Sequence, residues 1–97
     1  MLEKEPGDAF LNYALATEYI AMSEFEAGKE IFEKLVKNQP EYVPTYYHLA
    51  KLYERLDRAE DAEAMYEKGI AMAQQMGDQH AKSELHEALN NLLFDMD

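Results

Sequence analysis

The chain has 97 residues and a mass of 11.2 kDa, which is enough for one small domain and too little for a second independent core. Twenty acidic side chains against nine basic ones give a formal net charge of −11, and this charge argues against nucleic-acid and membrane-surface partners because it repels phosphates and anionic lipid headgroups. There is no cysteine, which excludes disulfides, thiolate metal sites and thiol nucleophiles and agrees with a reducing compartment.

An internal repeat organises the sequence. When residues 9–42 are aligned with residues 43–76, matching residue types fall in register. The matches include Leu15, Ala16 and Tyr19 with Leu49, Ala50 and Tyr53, Glu26 with Glu60, and Phe32, Glu33 and Lys34 with Tyr66, Glu67 and Lys68. Pro6 and Pro40 are separated by the same offset, so residues 1–8 are interpreted as the tail of a preceding unit.

Each repeat is predicted to form a pair of helices. The apolar residues of the first repeat follow helical spacing in two stripes, Leu15, Ala16, Tyr19 and Met22, then Ile31, Phe32, Leu35 and Val36. No segment alternates with a period of two residues, so no strand is predicted. The predicted helices span residues 8–22, 25–38, 43–56, 59–75 and 78–95, and the short connections between them make neighbouring helices antiparallel.

Residues typical of helix ends recur along the chain. Ser23 and Asp57 each precede a glutamate by three positions, which predicts a capping box at the start of each second helix. The other predicted end signals are N-caps at Asp8 and Asp78, a left-handed stop at Gly77 and a first-turn proline at Pro44.

The last segment, residues 77–97, is interpreted as a capping helix and not as a third repeat. Its apolar stripe lies one position off the register of the repeats and comprises Ala81, Leu85, Ala88, Leu89, Leu92 and Leu93. The opposite face is polar, which suits a terminal helix that covers a core with one face and meets water with the other.

The most specific motif lies in the second repeat and reads Tyr46-x-x-Leu49-Ala50-x-x-Tyr53, then Ala62-x-x-x-Tyr66. It resembles the tetratricopeptide repeat, whose pattern is W-x-x-L-G-x-x-Y, then A-x-x-x-F, then P. The first repeat departs from that pattern at Asn12, where an aromatic residue is usual, and Gln74 departs from the proline. The resemblance covers nearly the whole chain and implies an all-α fold, an α-solenoid of antiparallel helix pairs with five helices.

The resemblance also implies a non-enzymatic module that presents a groove, lined mainly by the first helix of each pair, to a peptide or helix of another protein. Carried over by repeat register, the groove positions are Phe10, Tyr13, Thr17, Ile20, Ala21, Tyr47, His48, Lys51, Glu54 and Arg55. Two interpretations of Tyr13 and Tyr47 stay open, since these rings either meet a ligand or pack between adjacent first helices. Lys51 and Arg55 lie one helical turn apart and could receive one carboxylate there.

The groove lacks a known clamp for acidic peptides, and this bears on the charge of the expected partner. Some members of the family clamp the acidic C-terminal tail of heat-shock chaperones with Lys and Asn side chains. Tyr13, Thr17 and His48 stand where the resemblance would place Lys, Asn and Asn, so this clamp is missing. Together with the net charge of −11, its absence favours a basic or mixed-charge protein partner.

No catalytic, cofactor or metal site is predicted. His80, Glu84 and Glu87 have metal-compatible spacing, but the same spacing is common on solvated helix faces. No glycine-rich phosphate loop or nucleophile elbow is present. Since the sequence contains neither a long apolar run nor the pattern of a signal peptide, we expect a cytoplasmic location and no membrane segment.

Three function hypotheses remain at this stage. The leading one is a protein-binding groove. The second is self-association through the N-terminal side, near Phe10, Leu11 and Phe25, because repeat units bury their apolar faces only on neighbours. The third, an enzyme, requires the chain to be part of a longer protein with a catalytic domain elsewhere.

Overall fold

The computed structural model describes residues 8–95, which form five α-helices and no strand. The helices are α1 (Ala9–Ala21), α2 (Phe25–Asn38), α3 (Pro44–Arg55), α4 (Ala59–Met76) and α5 (Gln79–Asp95). Each end lies within one residue of the predicted end, so the all-α prediction and the helix bounds are confirmed. The predicted tail of a preceding unit lies outside the described residues, apart from Asp8.

The chain divides between Tyr42 and Val43 into two compact units. Unit 1 contains α1 packed on α2, and unit 2 contains α3, α4 and α5, with α4 packed against both other helices. Within each unit the helices are joined by only two or three residues, which makes consecutive helices antiparallel. The assignment of sequence repeats to residues 9–42 and 43–76 stays a prediction.

The core of unit 1 forms where α1 and α2 cross at small residues. Ala16, Phe32 and Leu35 are buried there. At Gly28 a Cβ atom would lie 3.1 Å from the Ala16 carbonyl oxygen and would overlap the side chain of Ile20. Glycine therefore sets the spacing of this helix pair, because any larger residue would have to displace its neighbours.

The core of unit 2 joins three helices. Its buried apolar residues include Tyr46, Leu49, Ala50, Leu52, Tyr53, Ala62, Tyr66, Ala73, Leu85, Ala88, Leu89 and Leu92. The helices approach closely at Gly69, where a Cβ atom would lie 2.6 Å from Tyr46 Cβ and 3.1 Å from Leu85 Cδ1. The absence of a side chain at this position therefore lets α4 touch α3 and α5 at the same level.

Helix α5 buries most of its predicted apolar stripe. Leu85, Ala88, Leu89 and Leu92 are buried, and Ala81 is half-buried. Leu93 was expected in the same stripe but is exposed. At about 100° per residue, the buried residues of α5 fall within one arc of the helix, and Leu93 lies about 40° beyond that arc, on the side of Leu89.

Three helices end in the same left-handed turn. Ser23, Asp57 and Gly77 adopt φ angles of 63°, 62° and 74°. In each turn the next residue donates its N–H to a helical carbonyl five positions earlier, at 2.8 Å, as in a Schellman motif. The left-handed stop predicted at Gly77 is thereby confirmed.

The capping boxes predicted at Ser23 and Asp57 are wrong. The N-cap residues of α2 and α4 are Glu24 and Arg58, and neither makes a side-chain capping hydrogen bond. Ser23 and Asp57 each lie one position earlier and close the preceding helix. An N-cap residue has an extended backbone, whereas Ser23 and Asp57 have a left-handed one.

The N-caps predicted at Asp8 and Asp78 are confirmed. Their carboxylates accept the backbone N–H of Leu11 and of Ala81, each at 3.0 Å. Pro44 lies in the first turn of α3, as predicted, where its missing N–H leaves no helical carbonyl without a donor.

Replacing Asp57 with glycine is expected to stabilise the protein. A non-glycine residue pays about 1–2 kcal/mol in the left-handed region, and glycine recovers most of this, less about 0.4–1 kcal/mol of chain entropy. We expect Asp57→Gly to raise the free energy of unfolding in urea by about 0.5–1 kcal/mol. Gly77→Ala, whose Cβ would meet no atom, is the matched control and should lower it by a similar amount. A loss of stability in Asp57→Gly would restore the capping-box interpretation.

Candidate functional site

The predicted groove residues of unit 1 lie on α1, and three of them are engaged within the unit. The Tyr13 ring lies 6.2 Å from the Phe32 ring and 5.7 Å from the Tyr42 ring, and burial together with the nearby Tyr42 raises the pKa of Tyr13. The Thr17 hydroxyl donates to the Ala14 carbonyl at 2.8 Å. Ile20 is half-buried over Gly28.

Of the remaining two, Ala21 is exposed and Phe10 is 62% exposed. Phe10 lies in the first turn of α1 and has no buried counterpart in unit 2, since the residue aligned with it in the repeat register is Pro44, which is also exposed. Of the unit 1 candidates, Phe10 therefore offers the largest exposed apolar surface.

The predicted residues of unit 2 lie on α3 and cluster around Tyr47. Its ring lies 6.4 Å from the Tyr66 ring and 5.6 Å from the His48 ring, and the Lys51 Nζ atom lies 5.7 Å from its centroid. Burial lowers the pKa of His48, because desolvation disfavours the charged imidazolium. Arg55 is exposed at the end of the helix.

A cleft of about 230 Å³ lies between α3 and α5 in unit 2. Tyr47 and Lys51 line it from α3, and the lining residues from α5 are Glu84, Glu87, Ala88 and Asn91. The structure thus brings two of the predicted groove residues together with three polar residues, Glu84, Glu87 and Asn91, that were not predicted to line the groove. His48, Glu54 and Arg55 are not among the lining residues.

The sequence contains an ambiguous signal for the three cleft residues that were not predicted. Glu84, Glu87 and Asn91 recur at helical spacing and share one face of α5. On a terminal capping helix, such a polar face is expected to meet solvent. Only the packing of α5 on α4 shows that this face lies opposite Tyr47 and Lys51.

The polar groups of the cleft are incompletely paired. Among the described residues, neither the Glu87 carboxylate nor the Asn91 carboxamide makes a hydrogen bond or an ion pair. Glu84 Oε2 lies 3.3 Å from His80 Nε2, and Lys51 Nζ lies 3.9 Å from Glu54 Oε2. The cleft therefore offers two carboxylates, an amide and one ammonium group to an incoming polar ligand.

Glu54 connects a cleft residue, Lys51, with the buried Tyr66. The Tyr66 hydroxyl donates to Glu54 Oε2 at 2.5 Å, and the Tyr66 side chain is fully buried. The same carboxylate oxygen is the one nearest to Lys51. Burial and the hydrogen bond to Glu54 raise the pKa of Tyr66 far above its usual value of 10. The arrangement is specific to unit 2, since the residues aligned with this pair in the first repeat are Ile20 and Phe32.

The described residues give no sign of a metal centre. Within residues 8–95, no group of three His, Asp or Glu side chains is placed to hold an ion. His80 and Glu84 form an exposed pair one turn apart on α5. Nor does any helix in this part of the chain combine the length and apolarity needed to cross a bilayer.

Comparison with known proteins identifies the fold. The sequence model of the tetratricopeptide repeat family matches residues 19–89. Among solved structures, the solution structure of a tetratricopeptide repeat domain protein from Salinibacter ruber is 45% identical, with a TM-score of 0.88 over 92% of this chain and 90% of that one. A crystal structure of such a domain from the same organism is 46% identical, with a TM-score of 0.84 over 88% and 96%.

A Bordetella parapertussis protein shares the fold at greater distance. It is 25% identical, with a TM-score of 0.80 over 91% of this chain and 76% of that one. No curated protein matches the sequence significantly. The family resemblance noted in the sequence and the expected five-helix fold class are both confirmed.

The buried Tyr66 hydroxyl predicts a stability loss at alkaline pH. Because its folded pKa is raised, the folded chain keeps this proton above pH 10 while the unfolded chain releases it. Its contribution is fully present below pH 10 and is lost as pH rises further, by up to about 1.4 kcal/mol per pH unit. Urea denaturation at pH 8, 10 and 11 should show a steeper decline for the wild type than for Tyr66→Phe. Parallel declines would show that Tyr66 ionises as freely in the folded chain as in the unfolded one.

Proposed function

Because this chain belongs to the tetratricopeptide repeat family, we propose that it is a non-enzymatic module that binds a peptide or helix of a partner protein through the cleft of unit 2. Tetratricopeptide repeats generally serve in protein–protein interaction. The observation that carries the proposal is the convergence of Tyr47 and Lys51 with Glu84, Glu87 and Asn91 on one cleft.

Tyr47 is the expected anchor of the interaction. Its ring is half-buried against Tyr66, and Lys51 lies above it. A ring held in this way loses little further entropy when a ligand covers it, and tyrosine provides both apolar area and a hydroxyl. Lys51, held toward Glu54, places one positive charge beside this anchor.

The charges of the cleft favour a basic or mixed-charge partner segment. Glu84 and Glu87 can each accept hydrogen bonds from lysine or arginine side chains. Lys51 can receive a carboxylate or a backbone carbonyl of the same segment. The net charge of −11 adds long-range attraction for a basic partner, which raises the association rate more than the affinity.

The same charge supports a protein partner in preference to a nucleic acid or a membrane surface. The proposal includes a cytoplasmic location, with which a cysteine-free composition agrees. The proposal includes no cofactor and no catalytic step.

The proposal predicts that neutralising the cleft carboxylates weakens partner binding. The double variant Glu84→Gln with Glu87→Gln should bind a partner recovered by the wild type at least tenfold more weakly, about 1.4 kcal/mol. Its matched control is Glu60→Gln with Glu67→Gln, which makes the same charge change at exposed positions of α4 outside the cleft. The control should keep its affinity within about twofold, since only long-range attraction changes.

A second double variant tests the anchor. Tyr47→Ala with Lys51→Ala should lose the same partner in a pull-down while keeping the helical circular dichroism of the wild type. Unchanged recovery by this folded variant would remove the cleft from the proposed function.

Self-association is a second candidate function, favoured by one observation in unit 1. Leu11, Leu15 and Met22 share a face of α1 and are all exposed. Leu15 is 45% exposed, whereas Leu49, its counterpart in the repeat alignment, is 1% exposed. A repeat normally buries such positions on a neighbour. Phe10 adds to the exposed apolar surface, whereas Phe25 is half-buried.

A dilution series checks this candidate. Static light scattering should give a weight-average mass that rises with protein concentration if the α1 face is covered by another copy. A mass that stays at 11.2 kDa up to the highest soluble concentration would contradict self-association.

A further inference from the structure

Unit 1 contains a second cleft, of about 400 Å³, that the proposed groove does not use. Its apolar lining residues are Leu15 of α1 and Ile31 and Leu35 of α2, and its polar ones are Asn12, Lys34, Asn38 and Gln39. Lys34 lies at its edge. The cleft adjoins the exposed face of α1 on which the self-association candidate rests.

The cleft is lined by the position at which unit 1 lacks an aromatic ring. At the equivalent place in unit 2, Tyr46 is buried and lies directly over Gly69. Unit 1 carries Asn12 and Leu35 at these two positions. The Asn12 carboxamide donates to the Asp8 carbonyl of its own helix at 3.0 Å, so it does not fill the space that a tyrosine ring would occupy.

The described residues also include an exposed aromatic side chain near the end of α5. Phe94, near the end of α5, is 79% exposed, the largest exposure of any large apolar side chain in residues 8–95. Leu93 beside it is 38% exposed. Burial of such a phenylalanine is favourable because it removes a large apolar area from water.

We propose that a second copy of this chain inserts Phe94 into the unit 1 cleft. This inference rests on the self-association candidate and specifies which surfaces meet. In this arrangement Phe94 packs against Leu15 and Leu35, beside Asn12, which is the counterpart of Tyr46. The neighbouring Asp95 meets Lys34 at the edge of the cleft.

Charge complementarity favours this occupant. Among the described residues, neither Lys34 nor Asp95 makes an ion pair or a hydrogen bond through its side chain. Two copies that each carry a charge of −11 repel one another. A contact that sets an unpaired lysine against an unpaired aspartate offsets part of that repulsion at the point of closest approach.

The two surfaces are different parts of the chain, so the contact is heterologous. Each copy bound through its cleft still presents a free Phe94, and each copy bound through Phe94 still has an empty cleft. Association of this type does not stop at a dimer unless the geometry closes a ring. The mean mass should therefore continue to rise with concentration past twice the monomer mass.

Complementation between two variants tests the proposal. Leu15→Glu places a carboxylate in the cleft but keeps Phe94, and Phe94→Ser keeps the cleft but removes the ring. Each variant alone should self-associate at least tenfold more weakly than the wild type in sedimentation velocity. An equimolar mixture should form a heterodimer, and only a heterodimer, because one intact cleft and one intact Phe94 remain.

Two further variants serve as controls. Met76→Ser removes another exposed apolar side chain of unit 2 and should leave association unchanged. Lys34→Asp should weaken association, and addition of Asp95→Lys to the same chain should restore it. Circular dichroism and melting of each variant establish that it is folded, which is expected because the substituted residues are exposed.

The outcomes separate this inference from the broader candidate. If Phe94→Ser associates as strongly as the wild type, or if the mixture forms no heterodimer, copies meet through other surfaces and the inference fails while self-association stands. A wild-type chain that remains monomeric at every concentration overturns both.

Discussion

Close approach of helices at very small residues is the constraint on which the rest of the structure depends. Gly28 in unit 1 and Gly69 in unit 2 leave no room for a Cβ atom between neighbouring helices. Because the backbones are this close, dense packing fixes which residues of adjacent helices face one another. The convergence of α3, α4 and α5 at Gly69 places the polar face of α5 opposite Tyr47 and Lys51, and the candidate site follows from that placement.

Each unit contains an equivalent helix pair, but the side chains at one pair of aligned positions are apolar in unit 1 and polar in unit 2. Where unit 1 has Ile20 and Phe32, unit 2 has Glu54 and Tyr66 joined by a hydrogen bond. The exchange of an apolar pair for a polar one leaves a charged group at the surface of unit 2 that holds Lys51 beside the cleft. A buried tyrosine hydroxyl is stable only when its hydrogen bond is made, so the two residues of the polar pair depend on each other.

The two clefts differ in the same way. The lining of the unit 2 cleft includes two carboxylates, whereas the lining of the unit 1 cleft has no carboxylate and includes Leu15, Ile31 and Leu35. A polar cleft favours a ligand by matched hydrogen bonds and charges, and an apolar one favours it by area removed from water. The two clefts share no lining residue, so each of the two proposed interactions can be tested without altering the other.

The sequence by itself determined the helices and the family. The apolar spacing and the repeat register predict the residues at which each helix begins and ends. Both signals are local in the sequence, and they occur in both repeats. The same local reasoning failed at Ser23 and Asp57, since a serine or aspartate three residues before a glutamate is compatible with an N-cap and also with a left-handed turn. The sign of φ there depends on how tightly the two helices are joined, which the residue types do not state.

Tertiary structure alone decided which surfaces are available. The aromatic missing at Asn12 was visible in the sequence, but whether Leu35 compensates for it depends on how α1 and α2 pack. In the same way, the sequence pattern of α5 indicates only a solvated face for Glu84, Glu87 and Asn91. The packing of α5 on α4 shows that these residues lie opposite α3. Contacts between residues distant along the chain arise from the spacing of whole helices, and no local pattern in the sequence encodes that spacing.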